Sequence, residues 1–268
     1  ETAIVFNDQG KIDFIKPVFR NEAHRIIEEC MLAANVCAAK FLLEDNIDGL
    51  FRNHECPSEE KLENLRNFLA EFGLSLQGGN KPTPKDYRYL VEKISDRPES
   101  HLLQTVLLRS MQQAVYSEKN LGHFGLAYDA YTHFTSPIRR YPDLIVHRAI
   151  KSKLAKKPFQ MKDIAKIAEH CSGTERKADE ATRDVESWLK CYFMQDKVGQ
   201  IFEGTVAGVT GFGLFIELDE VYIEGLLHVT ELGNDYFTYD KNKHAMIGER
   251  TNLSYRLGDR LKVKVVRV

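Results

Sequence analysis

Near Lys197 the spacing of apolar residues changes from helical to alternating. A chain that switches period once must pack two kinds of element, so the sequence predicts an α+β fold with a boundary there. Upstream, Ala23, Ile26, Ile27, Cys30, Met31, Ala34, Cys37 and Phe41 recur at helical spacing over residues 22–44. A second helix opens at Pro57-Ser58, carries Leu62, Leu65, Phe68, Leu69 and Phe72 on one stripe, and stops at Gly73 as a C′ residue. Thr83-Pro84-Lys85-Asp86 opens a third, with Asp86 placed to complete its cap, and Leu102 to Val115 forms a fourth. Residues 1–16 alternate about Asp8-Gln9-Gly10 and read as a hairpin, while 118–135 read as irregular or strand. Ser136-Pro137 predicts another helix start, with a kink at Pro142. The last helix is long, with Ile164, Ile167, Cys171, Ala178, Ala181, Val185, Trp188 and Tyr192 on one stripe. From Val198 to Val268 the chain reads as short strands.

The helix start at Ser136 carries the chemistry. Its first N–H groups lack helical partners, and the macrodipole places partial positive charge there. Arg139 and Arg140 would then lie in the first turn, the unfavourable end for cations unless an anion binds between them. A phosphate satisfies the bare N–H groups and the guanidinium forks together. The competing reading is a structural salt bridge. Tyr131, His133 and Tyr141 frame this motif, either as stacking surfaces and a phosphate donor or as packing that holds it in place. The segment Glu175–Asp184 resembles a carboxylate metal cluster only superficially. Asp179 with Arg183 and Arg176 with Glu180 are i,i+4 pairs that need no metal, and Thr182 and Arg183 are candidate ligand contacts on a helix facing a channel.

Composition narrows the class. The five cysteines include no C-x-x-C, so the ligand spacing of structural zinc is missing, and their odd number argues against a disulfide framework. Cys30 and Cys37 read as core, and reduced thiols imply a cytoplasmic location. No run is long and apolar enough to span a bilayer. The opening Glu1-Thr2-Ala3-Ile4-Val5-Phe6, without Met, reads as cut from a longer chain.

Four stretches carry a family resemblance. Asn21-Glu22-Ala23-His24 with Ile27-Glu28-Glu29-Cys30-Met31, then Gly122-His123-Phe124-Gly125-Leu126, then Tyr131 to Asp143, then Ala181-Thr182-Arg183-Asp184-Val185 before Trp188-Leu189, occur in this order. The chain resembles the RNase II/RNase R (RNB) family of exoribonucleases over essentially its whole length. Residues 198–268 resemble an S1-type OB-fold β-barrel that binds single-stranded RNA, with a long insertion at 234–255 and the last strand incomplete.

The resemblance implies the C-terminal, helix-rich part of an RNB catalytic domain over 1–197, followed by the S1-type domain over 198–268. It implies a magnesium-dependent, processive 3′-to-5′ exoribonuclease of RNase R type, which hydrolyses single-stranded and structured RNA to nucleoside 5′-monophosphates in RNA degradation and quality control. Arg139 takes the family's catalytic role at the scissile phosphate, and Arg140 is either a backbone contact or a structural partner. An acidic residue in the stretch matching Glu28 and Glu29 contacts RNA near its 3′ end; which of the two is open, and Asn35 on the same helix is a further candidate. Phe212, Phe215 and His228 match the RNA-binding positions of S1-type domains. Strict alternation puts Phe212 and Phe215 on opposite faces, but Gly211 and Gly213 permit a bulge that turns both outward; the alternative is a barrel core.

The family holds magnesium with an aspartate cluster in the other half of the catalytic domain. No such cluster occurs here, so no metal ligands are assigned and the isolated chain is expected to be inactive. Expected partners are single-stranded RNA and ribosome or RNA quality-control factors, with no DNA, no membrane and a monomeric state. The net charge of −2 requires basic residues to be concentrated locally for RNA binding. The rival reading is a non-catalytic RNA-binding or adaptor module that keeps the fold without the chemistry.

Overall fold

The computed structural model describes residues 2–97, 100–240 and 245–268. Glu1 of the expected hairpin and 241–244 of the expected insertion lie outside the described residues, as does the side chain of Leu102. The hairpin forms as β1 (Thr2–Phe6) and β2 (Ile12–Pro17). Its turn is held by the Asn7 side chain, which accepts from the amides of Gln9 and Lys11, with Gly10 at φ 72°.

Helix α1 (Glu22–Glu44) starts at Asn21, whose side chain accepts from His24 N–H at 3.0 Å while the His24 ring accepts from Asn21 N–H. This reciprocal cap satisfies two otherwise bare donors. The expected stripe is only partly the buried one. Asn35, Ala38, Ala39 and Leu42 are buried, whereas Ile26 and Ile27 are about 60% exposed and both Cys30 and Cys37 are exposed. Helical spacing marks a face but not how far along the helix a neighbour covers it, and the N-terminal half of α1 carries no cover among the described residues.

Helices α2 (Glu59–Glu71), α3 (Pro84–Ile94) and α4 (Ser100–Ser110) form a bundle with its own core. Leu62, Leu65, Phe68 and Leu69 meet Tyr87, Leu90, Ile94, Leu103 and Leu107 there. Truncating one such leucine to Ala costs ~2–5 kcal/mol. Gly73 takes φ 65° just beyond α2, and Asp86 accepts from both the N–H and the hydroxyl of Thr83, each at 2.7 Å. Those bonds hold the Asp86 carboxyl below its ordinary pKa. The fourth run ends at Ser110 rather than Val115, because Val115 begins strand β4 (Val115–Ser117), which pairs antiparallel with β3 (Phe51–Asn53).

The chain from Ser136 departs from expectation. Pro137 to Arg139 form a turn, closed by Arg140 N–H donating to Ser136 C=O at 3.0 Å, and helix α5 (Tyr141–Leu154) begins only after Arg140. Pro142 therefore lies in the first turn of α5, where its missing N–H costs nothing, and causes no kink. Helix α6 (Ile164–Met194) buries Ala168, Cys171 and Ser172 early on, and Met194 at its end. Between them Val185, Trp188 and Tyr192 of the expected stripe are exposed. Neither expected i,i+4 ion pair forms among the described residues, as is common for long exposed side chains.

The C-terminal strands form two sheets around one core. Strands β5 (Ile201–Thr210), β6 (Gly213–Leu218), β7 (Glu224–His228) and β11 (Arg260–Lys264) run in the order β11-β5-β6-β7. Strands β8 (Phe237–Asp240), β9 (Ala245–Gly248) and β10 (Ser254–Arg256) make the second sheet. The expected barrel is not closed by a continuous ladder among the described residues: a 3₁₀ turn at Val229–Glu231 carries the chain away from β7. Val206, Leu214, Ile216, Phe237 and Met246 fill the core, which also takes in Ile15 of the hairpin and Met194 of α6.

Candidate functional site

The segment 131–140 has almost no regular structure, yet it is fixed from four directions. From β3, the Arg52 amide donates to Tyr131 C=O at 2.9 Å, and the Thr132 hydroxyl donates to Leu50 C=O just before that strand. From α1, buried Asn35 donates to the Tyr131 phenol at 2.9 Å and accepts from Phe134 N–H at 2.9 Å. From β4, the Tyr116 phenol meets His133 Nδ1 at 2.7 Å. From α5, the His147 ring stacks on Phe134 at 4.2 Å and its Nε2 lies 2.9 Å from Phe134 C=O.

Asp143 completes the frame. It is fully buried, and its Oδ1 accepts from Ser136 N–H at 2.8 Å and from Arg140 Nη2 at 2.7 Å. One carboxylate thus closes the turn and draws Arg140 inward. Asp143 Oδ2 and Arg140 Nε are buried without partners, so the pair is held at one edge only. Arg139, one residue earlier, is exposed, and its guanidinium has no hydrogen-bond or ion-pair partner among the described residues. The two adjacent arginines are therefore divided, one tied down and one offered to solvent.

Other predicted residues scatter around this loop. Tyr131 is buried and His133 half-buried, while Tyr141 is exposed at the start of α5. Asn35 spends both ends of its amide on the loop, which gives it a holding task. Glu28 pairs with Arg20, whereas Glu29 is exposed without an ion-pair partner among the described residues. Thr182 and Arg183 are exposed on α6, with the Thr182 hydroxyl turned back to Ala178 C=O at 2.9 Å.

Burial sets the protonation of the histidines. His133 is pushed down to about 3 by burial and then by Arg140 and Arg52, and His123 to about 4 by burial and then by His54 and Arg52. Both are neutral at physiological pH. Beneath them, Arg52 is forked onto Glu175 of α6 at 2.6 and 3.1 Å and lies 4.6 Å over the Tyr116 ring. Sequence reasoning gave Asp143, Tyr116, Arg52 and Glu175 no part in the site. Asp143 lay inside the motif, three residues from Arg140, and that spacing was a usable signal; Arg52 and Glu175, 123 residues apart, left none.

On the strand domain, Phe212 is half exposed and meets Phe215 edge-to-face at 5.9 Å, so both rings share one surface. Phe212 lies in the turn at 211–212, outside the strands, so strict alternation does not govern it; the register irregularity between β5 and β6 is on β5, between Val206 and Gly208. Gly208 lies opposite Phe215, and a Cβ there would stand 3.3 Å from the Phe215 side chain. Gly213 takes φ 153°, where a Cβ would stand 2.3 Å from Leu227 C=O. His228 pairs with Gly213 and is exposed beside the rings, its Nδ1 3.0 Å from the Thr230 hydroxyl.

The RNB domain model matches residues 1–156, and the S1 RNA binding domain model matches residues 195–268. The chain belongs to the RNB family. Among RNB relatives, ribonuclease R of Escherichia coli K12 is 50% identical over 99% of this chain, and ribonuclease R of Vibrio cholerae is 50% identical over all of it. The chain spans 34% of the length of each. Mycoplasma genitalium RNase R in complex with ribose-methylated single-stranded RNA superposes with a TM-score of 0.91 at 30% identity, covering all of this chain and 43% of that one. The same enzyme in complex with double-stranded RNA gives a TM-score of 0.82 at 26% identity. Among the described residues of this RNB chain no three His, Cys, Asp or Glu side chains converge as metal ligands, and no helix is long and apolar enough to cross a membrane.

Proposed function

We propose that this chain is part of a processive 3′-to-5′ exoribonuclease of RNase R type, acting in the cytoplasm on single-stranded and structured RNA and releasing nucleoside 5′-monophosphates. Residues 1–197 serve as the later part of the catalytic domain and 198–268 as an RNA-binding domain. The observation that carries this reading is the division between Arg139 and Arg140. A free guanidinium on a loop fixed from four elements is a preorganised donor for charge that develops on phosphoryl oxygens during hydrolysis. Its planar fork matches two phosphate oxygens in a way that a lysine does not. In this reading Arg139 is the catalytic residue, Arg140 holds the loop, and Tyr141 offers a ring beside it.

Glu29 is the better-supported partner for RNA 2′-hydroxyls, because Glu28 is already paired. Phe212, Phe215 and His228 form the stacking surface of the S1 domain, and Thr182 and Arg183 contribute along α6. The described residues do not converge into a magnesium site, so the metal ligands are assigned to the rest of the catalytic domain and the chain alone is expected to be inactive. In a protein of full family length, Arg139→Lys is expected to depress kcat far more than RNA affinity. Equal losses in both would reduce Arg139 to a holding contact, and robust magnesium-dependent RNA decay by the 268-residue chain alone would overturn the assignment of the metal ligands elsewhere.

A further inference from the structure

The Tyr116 phenol lies 2.7 Å from His133 Nδ1 and has no other hydrogen-bond partner among the described residues. A phenol proton needs an acceptor, and Nδ1 is the one available, so the proton lies on Tyr116 and Nδ1 accepts it. Tyr116 keeps that proton: burial raises its pKa above the ordinary phenol value. His133 is neutral, so its single ring proton must be on Nε2. Nε2 has no partner within the described protein and is not among its sealed, unsatisfied atoms. The ring is thus a neutral donor with a free N–H.

The surroundings favour that form. Arg140, Arg52, His123 and Arg139 all act on the ring and oppose an imidazolium, while Tyr131 packs edge-on at 5.8 Å. Asp143 Oδ1 is bound to Ser136 and Arg140, and Glu175 to Arg52, and no carboxylate is among the groups that act on His133. Tyr116 is itself held from three sides. Its amide donates to the Ser172 hydroxyl at 2.9 Å, its ring carries the Arg52 guanidinium, and Arg52 is its register partner across β3 and β4.

We propose that Tyr116 is a positioning residue that fixes His133 in the Nε2–H tautomer, making His133 a neutral hydrogen-bond donor to an RNA phosphate beside Arg139. The inference rests on the reading of this loop as the phosphate site. A neutral donor adds a directed bond without a further positive charge, so it aids the reacting phosphate without tightening the grip on every phosphate that must slide past.

Nitrogen-15 correlation spectra of the histidine rings in the 268-residue chain test the tautomer without any turnover. The expected pattern is a single neutral form of His133, protonated at Nε2 across about pH 5 to 8, that becomes a tautomer mixture in Tyr116→Phe. Nδ1 protonation in the unaltered chain, or an unchanged spectrum in the Phe variant, overturns the proposal. In a protein of full family length, Tyr116→Phe should lower kcat by roughly tenfold with KM within about twofold. His133→Gln, which keeps an N–H near the Nε2 position, should exceed His133→Leu in kcat by at least about tenfold. Equal losses for Gln and Leu, or a Tyr116→Phe effect confined to KM, refute the donor role even if Arg139→Lys behaves as expected. A catalytically silent parent would refute the nuclease reading and leave the tautomer result standing.

Discussion

Replacing Asp143 by Asn tests the loop's anchor most directly. The side chain is fully buried and carries two charge-assisted bonds, to Ser136 N–H at 2.8 Å and to Arg140 at 2.7 Å. The amide keeps an oxygen for Ser136 but loses the charge that holds Arg140, whose side chain is only 21% exposed. Breaking a buried pair by removing one partner costs ~3–5 kcal/mol. The retained Ser136 bond and the partial exposure of Arg140 bring the expectation to about 3 kcal/mol, which for a chain of this size lowers Tm by roughly 6–12 °C. Thermal and urea melts of the 268-residue chain provide the measurement. Combining Asp143→Leu with Arg140→Met removes both orphaned atoms with both charges and should recover much of the loss. An Asn variant that melts within about 2 °C of the parent, or a double variant as unstable as the sum of its singles, would refute the account of Asp143 as the anchor.

Stability should also fall as pH drops below about 6.5, where unfolded histidine takes a proton that buried His133 refuses until about 3; above that range neither state is charged and the effect vanishes. His133 alone contributes a loss of about 2 kcal/mol between pH 8 and 5, and urea melts of His133→Leu should show a correspondingly flatter pH dependence. Phe212→Ala and Phe215→Ala should each weaken oligo(A) binding by ~1–3 kcal/mol with little change in melting, read by fluorescence anisotropy; the reverse pattern would assign the rings to packing. Gly213→Ala forces a Cβ against Leu227 C=O and should cost ~3 kcal/mol, lowering amide-exchange protection along β6 and β7. Gly225→Ala, with nothing within 4 Å, serves as its neutral control.

What could be read from the sequence was mainly what is local. The caps at Ser58 and Thr83 and the stripe from Leu62 to Leu69 depend on residues within a few positions, and these elements formed where spacing put them. At Ser136 the chain makes a turn rather than a helix start: Asp143, inside the same motif, ties Ser136 N–H to Arg140, and α5 begins only at Tyr141. The face of α1 was misjudged because coverage depends on neighbours that periodicity does not report. In the site, residue type pointed to Arg139 and Arg140 as a pair and the resemblance singled out Arg139, but it is packing that ties Arg140 to Asp143. The Tyr116–Arg52–Glu175 chain was invisible because it joins β4, β3 and α6 across long stretches of sequence.

Those long reaches have a consequence for biosynthesis. The loop that offers Arg139 is tied backward to Asn35, Leu50 and Arg52 and forward to Asp143 and His147, and its Tyr116 support leans on Ser172 and Glu175 of α6. Contacts of such separation form late, after the loop-closure entropy between them has been overcome. At ~5–20 residues made per second, the stretch from Arg139 to Glu175 takes a few seconds to emerge. A growing chain therefore passes through a window in which it already contains Arg139 but not the frame that holds its loop, and the geometry is withheld until α6 docks.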